Sequence, residues 1–184
     1  MNQRPTLTTR RLLLRPFVLA DARDVQRLAG DREVTSTTLN IPYPYQDGAA
    51  EQWISTHQEE FDKGNLVNFA IVLASDGSLI GAMGLRIDKT HSKAELGYWI
   101  GKPFWNRGFC TEAAGVVVEY AFKVLALNKI HATHLTRNPA SGRVLQKLGM
   151  THEGSRRQHV RKWDVFEDVE EYGILKRDYE SQRK

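Results

Sequence analysis

The stretch Trp105-Asn106-Arg107-Gly108-Phe109-Cys110-Thr111-Glu112-Ala113 has the residue types of an anion-binding turn. An apolar stretch, Ala94 to Ile100, runs into it, and an apolar-periodic stretch, Cys110 to Leu125, runs out of it. A glycine at the first turn of a helix leaves backbone N–H groups without partners, and the helix dipole adds about half a positive charge. Arg107 brings a cation and Thr111 a hydroxyl donor. The chemistry this suits is holding a diphosphate; an ordinary strand-to-helix turn is the rival reading. Glu112 complements the dipole and reads as structural.

Other reactive side chains are weighed the same way. A helix N-terminus can lower the pKa of Cys110, but no histidine lies within sequence reach, and the position suits a packing residue. His131 and His134 are three apart on a strand, so they face opposite sides and are not a metal pair. Asn138 before Pro139 sits where a helix N-cap belongs. Arg143 and Lys147 lie one turn apart on the helix that follows.

The elements that must position these residues follow from periodicity and breakers. Strands are expected at Arg11 to Phe17, Val67 to Ala74, Leu79 to Asp88, Lys93 to Ile100, Lys129 to Leu135, Met150 to Arg157 and Val169 to Leu175. Helices are expected at Ala20 to Ala29, at Asp47 (as N-cap) to Lys63, at Cys110 to Leu125 and at Pro139 to Leu148. Val34 to Gln46 reads as a Thr- and Pro-rich loop, and Ser75 to Ser78 as a hairpin turn. Strand 93–100, helix 110–125 and strand 129–135 form a β-α-β unit, so those strands are parallel neighbours. The fold class is α/β, a mixed and mostly antiparallel twisted sheet of about seven strands with about four helices.

At 184 residues the chain reads as a single domain, 1–184, with a full-sized core. No apolar run approaches the ~18 residues of a membrane span, and one cysteine forbids an internal disulfide. A cytoplasmic protein without a membrane is expected. The net charge of +4 suits a solvated surface or a polyanionic ligand. The aromatics are not interleaved with basic residues as in a base-stacking platform, so direct nucleic-acid binding is not expected.

The 105–113 loop resembles the pyrophosphate motif of the GNAT (GCN5-related N-acetyltransferase) superfamily, Gln/Arg-x-x-Gly-x-Gly/Ala. It departs from that form at Trp105, where Gln or Arg is usual, and at Cys110, where Gly or Ala is usual. Leu7 to Pro16, Ile41-Pro42-Tyr43-Pro44-Tyr45 and Asn138-Pro139-Ala140-Ser141 through Lys147-Leu148-Gly149-Met150 are similar to the same branch, the ribosomal-protein serine/alanine N-acetyltransferase (RimJ/RimL-type) proteins. The similar stretches run from about Leu7 to Leu175 in family order.

The resemblance implies a GNAT fold whose central parallel pair splays apart, with acetyl-CoA as co-substrate between the strands. It assigns the pyrophosphate to Asn106, Arg107, Gly108, Phe109, Cys110 and Thr111, and the pantetheine arm to the backbone of Trp99 and Ile100 and to Asn138. Gly97 is the candidate for a bulge that opens the pair. Arg143 and Lys147 are within reach of the 3′-phosphate, and Ser141 is a candidate to protonate the leaving thiolate. Glu95 is the candidate carboxylate base because it lies on the strand leading to the thioester, and Tyr98 is second to it.

Magnitudes bear on the acceptor. Neutralising an α-amine of pKa ~8 at pH 7 costs about 1.4 kcal/mol, against about 4.6 kcal/mol for a lysine near ~10.4. A weak base serves the first and not the second, which favours a protein N-terminus as acceptor. A small amine (an antibiotic or polyamine) and a non-catalytic acyl-CoA-binding module are the alternatives. The acceptor side would be built from about residues 30–66, 86–93 and 155–168, with Tyr43 and Tyr45 as candidates to line its mouth. Monomer and homodimer remain equally open, with Phe166 and strand 169–175 available for pairing.

Overall fold

The computed structural model of the protein describes residues 3–183. Its strands are β1 (Leu7–Thr8), β2 (Leu12–Arg15), β3 (Leu66–Leu73), β4 (Leu79–Asp88), β5 (Lys93–Ile100), β6 (Lys129–Leu135), β7 (Thr151–Lys162) and β8 (Val165–Leu175). Its helices are α1 (Ala22–Ala29), α2 (Arg32–Ser36), α3 (Ala49–Ser55), α4 (His57–Asp62), α5 (Phe109–Lys123), α6 (Pro139–Lys147) and α7 (Lys176–Ser181). The strands form one sheet in the order β1-β2-β3-β4-β5-β6-β8-β7. Every neighbouring pair is antiparallel except β5 and β6, which α5 connects. No helix among the described residues is long and apolar enough to cross a membrane.

Period-2 alternation sorts the strand residues onto two faces. Leu12, Leu14, Phe69, Ile71, Leu85, Ala94 and Leu96 bury against Ala113, Val117, Ala121 and Phe122 of α5 and Leu145 of α6. On the other face Ala70, Val72, Leu79 and Ala82 pack against Phe17, against Val25 and Ala29 of α1, and against Ala50 and Ile54 of α3. Burying these side chains, at roughly 1.5–3 kcal/mol for each large one, holds helices to both faces.

Four expectations are corrected. The helix expected over 47–63 is two helices, and Asp47 does not cap it. Gly48 is the N-cap in a left-handed conformation (φ 80°), while Asp47 accepts a hydrogen bond from Gln26 Nε2 of α1 (2.8 Å). The break falls where the Thr56 hydroxyl donates to the Trp53 carbonyl (2.8 Å), a local bond that competes with the helical ladder. The loop expected over 34–46 begins inside α2, whose N-cap Asp31 accepts from Glu33 N–H (2.7 Å). Strand β1 makes eight strands where about seven were expected. The last two strands are longer than expected, because Trp163 and Asp164 adopt left-handed φ of 48° and 66° and let Lys162 pair directly with Val165.

One polar cluster pins the β1–β2 turn to the start of α5. Glu112 accepts from the Thr9 hydroxyl (2.6 Å), the Arg11 N–H (3.0 Å) and Arg11 Nε (2.7 Å). Burial alone would raise its pKa, but these hydrogen bonds and the Arg11 charge outweigh burial and hold it below the usual value. A depressed carboxylate stabilises the fold above its unfolded pKa of ~4.3 and loses that contribution as pH falls through the folded value. Glu112→Gln is therefore expected to cost about 1–3 kcal/mol at pH 7 and to lose less stability than wild type below pH ~4. Urea unfolding at both pH values checks this, and equal losses at both would contradict it.

Candidate active site

The turn into α5 is built from alternating backbone hands. Asn106 has φ 60° and Gly108 φ 77°. Alternation of this kind turns successive N–H groups into one concavity, an anion nest. The helical ladder begins with Glu112 N–H donating to the Gly108 carbonyl (3.1 Å), so the N–H groups of Phe109, Cys110 and Thr111 precede it and lack helical partners. Trp105 fixes the approach through its indole N–H, which donates to the Ile100 carbonyl (2.6 Å). Arg107 is exposed beside the Phe104 ring (6.0 Å).

The gap beside this turn does not arise from a bulge at Gly97. The β4–β5 register runs without a shift from Asp88↔Lys93 to Gly81↔Ile100. The opening is on the other side: β5 and β6 pair only from Lys93↔Lys129 to Glu95↔His131 and then part. Gly101 N–H donates to the Ile80 carbonyl of β4, so alternation turns the backbone of Trp99 toward β4. The gap receives the groups of Leu96, Tyr98 and Ile100 instead. The backbone of Trp99, expected on the gap, therefore faces β4, while the backbone of Tyr98 and the Ile100 N–H lie on the gap edge. Gly97 has no atom within 4 Å of the place a Cβ would occupy and leaves open space on the face opposite α5.

Helix α6 closes the far side of the gap. Asn138 caps it, its Oδ1 accepting from Ser141 N–H (3.3 Å). Its side-chain amide makes no hydrogen bond among the described residues. The Tyr98 phenol reaches across to Ser141, 2.8 Å from Oγ and 3.2 Å from the carbonyl oxygen. Burial pushes the Tyr98 pKa well above that of a free phenol, and the neighbouring Cys110 thiol adds to the shift. Burial also pushes the Cys110 thiol up to about 12, which makes it a protonated packing group. Arg143 is exposed on α6. His134 lies beneath the same helix, stacked on Tyr172 (5.7 Å), with its Nε2 so close to Gly142 that a Cβ there would sit 2.7 Å away.

The opposite face of the sheet carries Glu95 and His131, which line a cleft of about 550 Å³ with Asn65, Arg86 and Lys93. Farther along this face the β7–β8 hairpin is clasped to the 36–45 segment. Buried Lys162 donates to the Ile41 carbonyl (3.0 Å), Arg137 Nη2 to the Ser36 carbonyl (2.5 Å), and Trp163 packs on Tyr43 (5.5 Å). Burial lowers the Lys162 pKa, and the Arg137 charge adds to this. Tyr45 is half-buried. Among the described residues no group of three His, Cys, Asp or Glu could hold a metal.

Residues 11–151 match the family model described as the acetyltransferase (GNAT) domain. The chain belongs to the GNAT acetyltransferase family. The uncharacterized N-acetyltransferase p20 of Bacillus licheniformis is 33% identical over 176 residues, covering 95% of this chain and 98% of that protein. A candidate ribosomal N-acetyltransferase of Bacillus subtilis (strain 168), YdaF, is 35% identical over 112 residues, 60% of this chain and 61% of that protein. The Mycobacterium smegmatis RimJ structure, a complex with CoA-disulfide, shares the fold with a TM-score of 0.81 at 22% identity, covering 89% of this chain and 81% of that one. This GNAT chain is an N-acetyltransferase.

The loop, Asn138 and Ser141 that the sequence singles out lie around the gap, and Tyr98, second there to Glu95, reaches across it to Ser141. Tyr98 and Ser141 stand 43 positions apart, and no local pattern announces their contact. His131 was weighed only as a metal ligand.

The nest has a direct test. Gly108→Glu is expected to weaken acetyl-CoA binding by more than tenfold in calorimetry, roughly the loss of one charge-assisted contact. Gly108→Ala carries the same left-handed strain, about 1–2 kcal/mol, without the charge, and should bind more tightly than the glutamate variant. Equal binding by both would remove the diphosphate from this turn.

Proposed function

We propose that this N-acetyltransferase moves the acetyl group of acetyl-CoA to a primary amine, with a protein N-terminal α-amine as the acceptor. The observation that carries the reading is the Tyr98–Ser141 hydroxyl pair spanning the gap at 2.8 Å. Bound acetyl-CoA supplies the acyl group as an activated thioester. The amides of residues 106–111 hold its diphosphate, and the edges of Leu96, Tyr98 and Asn138 pair with the amide-rich arm. The residues present fit such a group: an unpaired strand edge, a capping asparagine with a spare amide, and a concave turn of free N–H groups.

The chain's own groups divide the chemistry. The N–H groups of β5 on the gap side polarise the thioester carbonyl. Tyr98 donates to Ser141 Oγ, which frees the serine proton for the departing sulfur. Burial keeps the phenol protonated, so the pair remains a donor across the working pH range. Acceptor amines enter from the opposite face, where Gly97 leaves space and Glu95 is half-buried with no ion pair or hydrogen bond among the described residues. An α-amine needs only about 1.4 kcal/mol of neutralisation at pH 7, which this sparse set of groups can supply. The name of the YdaF relative supports the same acceptor class.

Initial-rate assays with acetyl-CoA and peptides bearing N-terminal Ser or Ala, with spermidine and a lysine-only peptide as comparators, test the reading. The N-terminal peptides should be acetylated fastest. Tyr98→Phe and Ser141→Ala should each lower kcat by about 10²-fold with acetyl-CoA affinity nearly unchanged. Turnover confined to spermidine or lysine would overturn the acceptor, and unchanged kcat in both variants would overturn the donor pair.

A further inference from the structure

The two β strands part directly after Glu95↔His131, the last residues paired in the β5–β6 ladder. Their side chains share the face opposite α5, next to the open space at Gly97. Both line the cleft of about 550 Å³. His131 is half-buried, and its ring makes no hydrogen bond among the described residues, nor does Glu95. In a chain whose other half-buried acids, such as Glu112, Glu167, Glu170 and Glu171, are hydrogen-bonded or ion-paired, a carboxylate and an imidazole side by side at the root of the gap, each without a hydrogen bond among the described residues, are an unused pair.

We infer that His131 is a catalytic base of this N-acetyltransferase, taking the proton from the acceptor ammonium while Glu95 stabilises the imidazolium that results. The inference rests on the acetyl-transfer reading and deepens it. Desolvation lowers the His131 pKa, and the Lys93 and Lys129 charges lower it further. Glu95 and Glu171 oppose them without prevailing; Arg86 of β4 also lines the cleft. The imidazole is therefore neutral at pH 7 and free to accept.

His131 takes one proton from the ammonium. The neutral nitrogen attacks the carbonyl carbon, the carbon–nitrogen bond forms, and the carbon–sulfur bond breaks. Sulfur takes a proton from the Ser141–Tyr98 pair, a second proton leaves nitrogen by water and restores that pair, and the proton on His131 passes to solvent. One ammonium and one thioester yield one amide, one thiol and one proton.

The test is the pH dependence of kcat with an N-terminal serine peptide at saturating acetyl-CoA. Wild type should show an acid limb below pH ~6.5, the free-imidazole value, because His131 must be neutral to act and its pKa is lowered. His131→Gln should lower kcat by about 10²-fold, abolish that limb and leave acetyl-CoA affinity intact. Glu95→Gln should move the limb to lower pH, since the carboxylate raises the imidazole's proton affinity. Proton NMR of the imidazole in wild type should give the same pKa as the limb, which guards against a folding defect in the variants. A limb that persists in His131→Gln, or a rise in KM alone, overturns the inference while acetyl transfer stands. Failure of wild type to acetylate any amine overturns the parent reading and this one with it.

Discussion

Backbone amides inside a sheet must find partners, and β5 stops finding them on one side after Glu95. This is the constraint from which the rest of the molecule follows. A strand edge in the middle of an eight-stranded sheet is far too costly to leave dry and unpaired. It is either hydrated or occupied by something that offers amides in return. Helices α5 and α6 stand over the gap on one face, and the clasped 36–45 segment and β7–β8 hairpin stand along the other. The enzyme is thus a sheet held open along one internal edge, with a nest of N–H groups at its mouth and titratable groups at its root.

The supporting structure keeps that edge open. The hydrogen bonds from Thr9 and Arg11 to Glu112 anchor the first turn of α5 to the β1–β2 turn. The indole of Trp105 holds the loop to the end of β5. Trp105 departs from the family's usual Gln or Arg, and its structural task explains how the loop keeps its shape without that residue. Cys110, the other departure, is a protonated side chain beside Tyr98. The N–H groups of the turn belong to the backbone, so neither departure removes them.

Much of this was legible in the chain. Helix α5, the parallel β5–β6 neighbours and the Asn138 cap all follow from local rules of period, breaker and cap. Gly108 announced the start of a helix, and the structure begins α5 there, with Gly108 as a left-handed N-cap. What local rules could not supply was distance. The gap is made by β6 leaving β5, an event that a glycine in β5 suggested for the wrong reason. Gly97 leaves open space on the face opposite α5 instead. The Thr56 break and the diversion of Asp47 to Gln26 are side-chain choices made by tertiary neighbours. The β7–β8 hairpin outran its periodic signal because a two-residue turn at Trp163 and Asp164 extends the pairing through exposed residues.

Amide hydrogen exchange with and without acetyl-CoA probes the open edge most directly. The account predicts that acetyl-CoA slows exchange at residues 106–111 and on the gap side of β5, at Tyr98 above all. The amides of Gly97 and Trp99, already paired with β4, should change little. Protection spread evenly along β5, or absent from both the turn and the strand, would contradict an internal edge completed by the co-substrate.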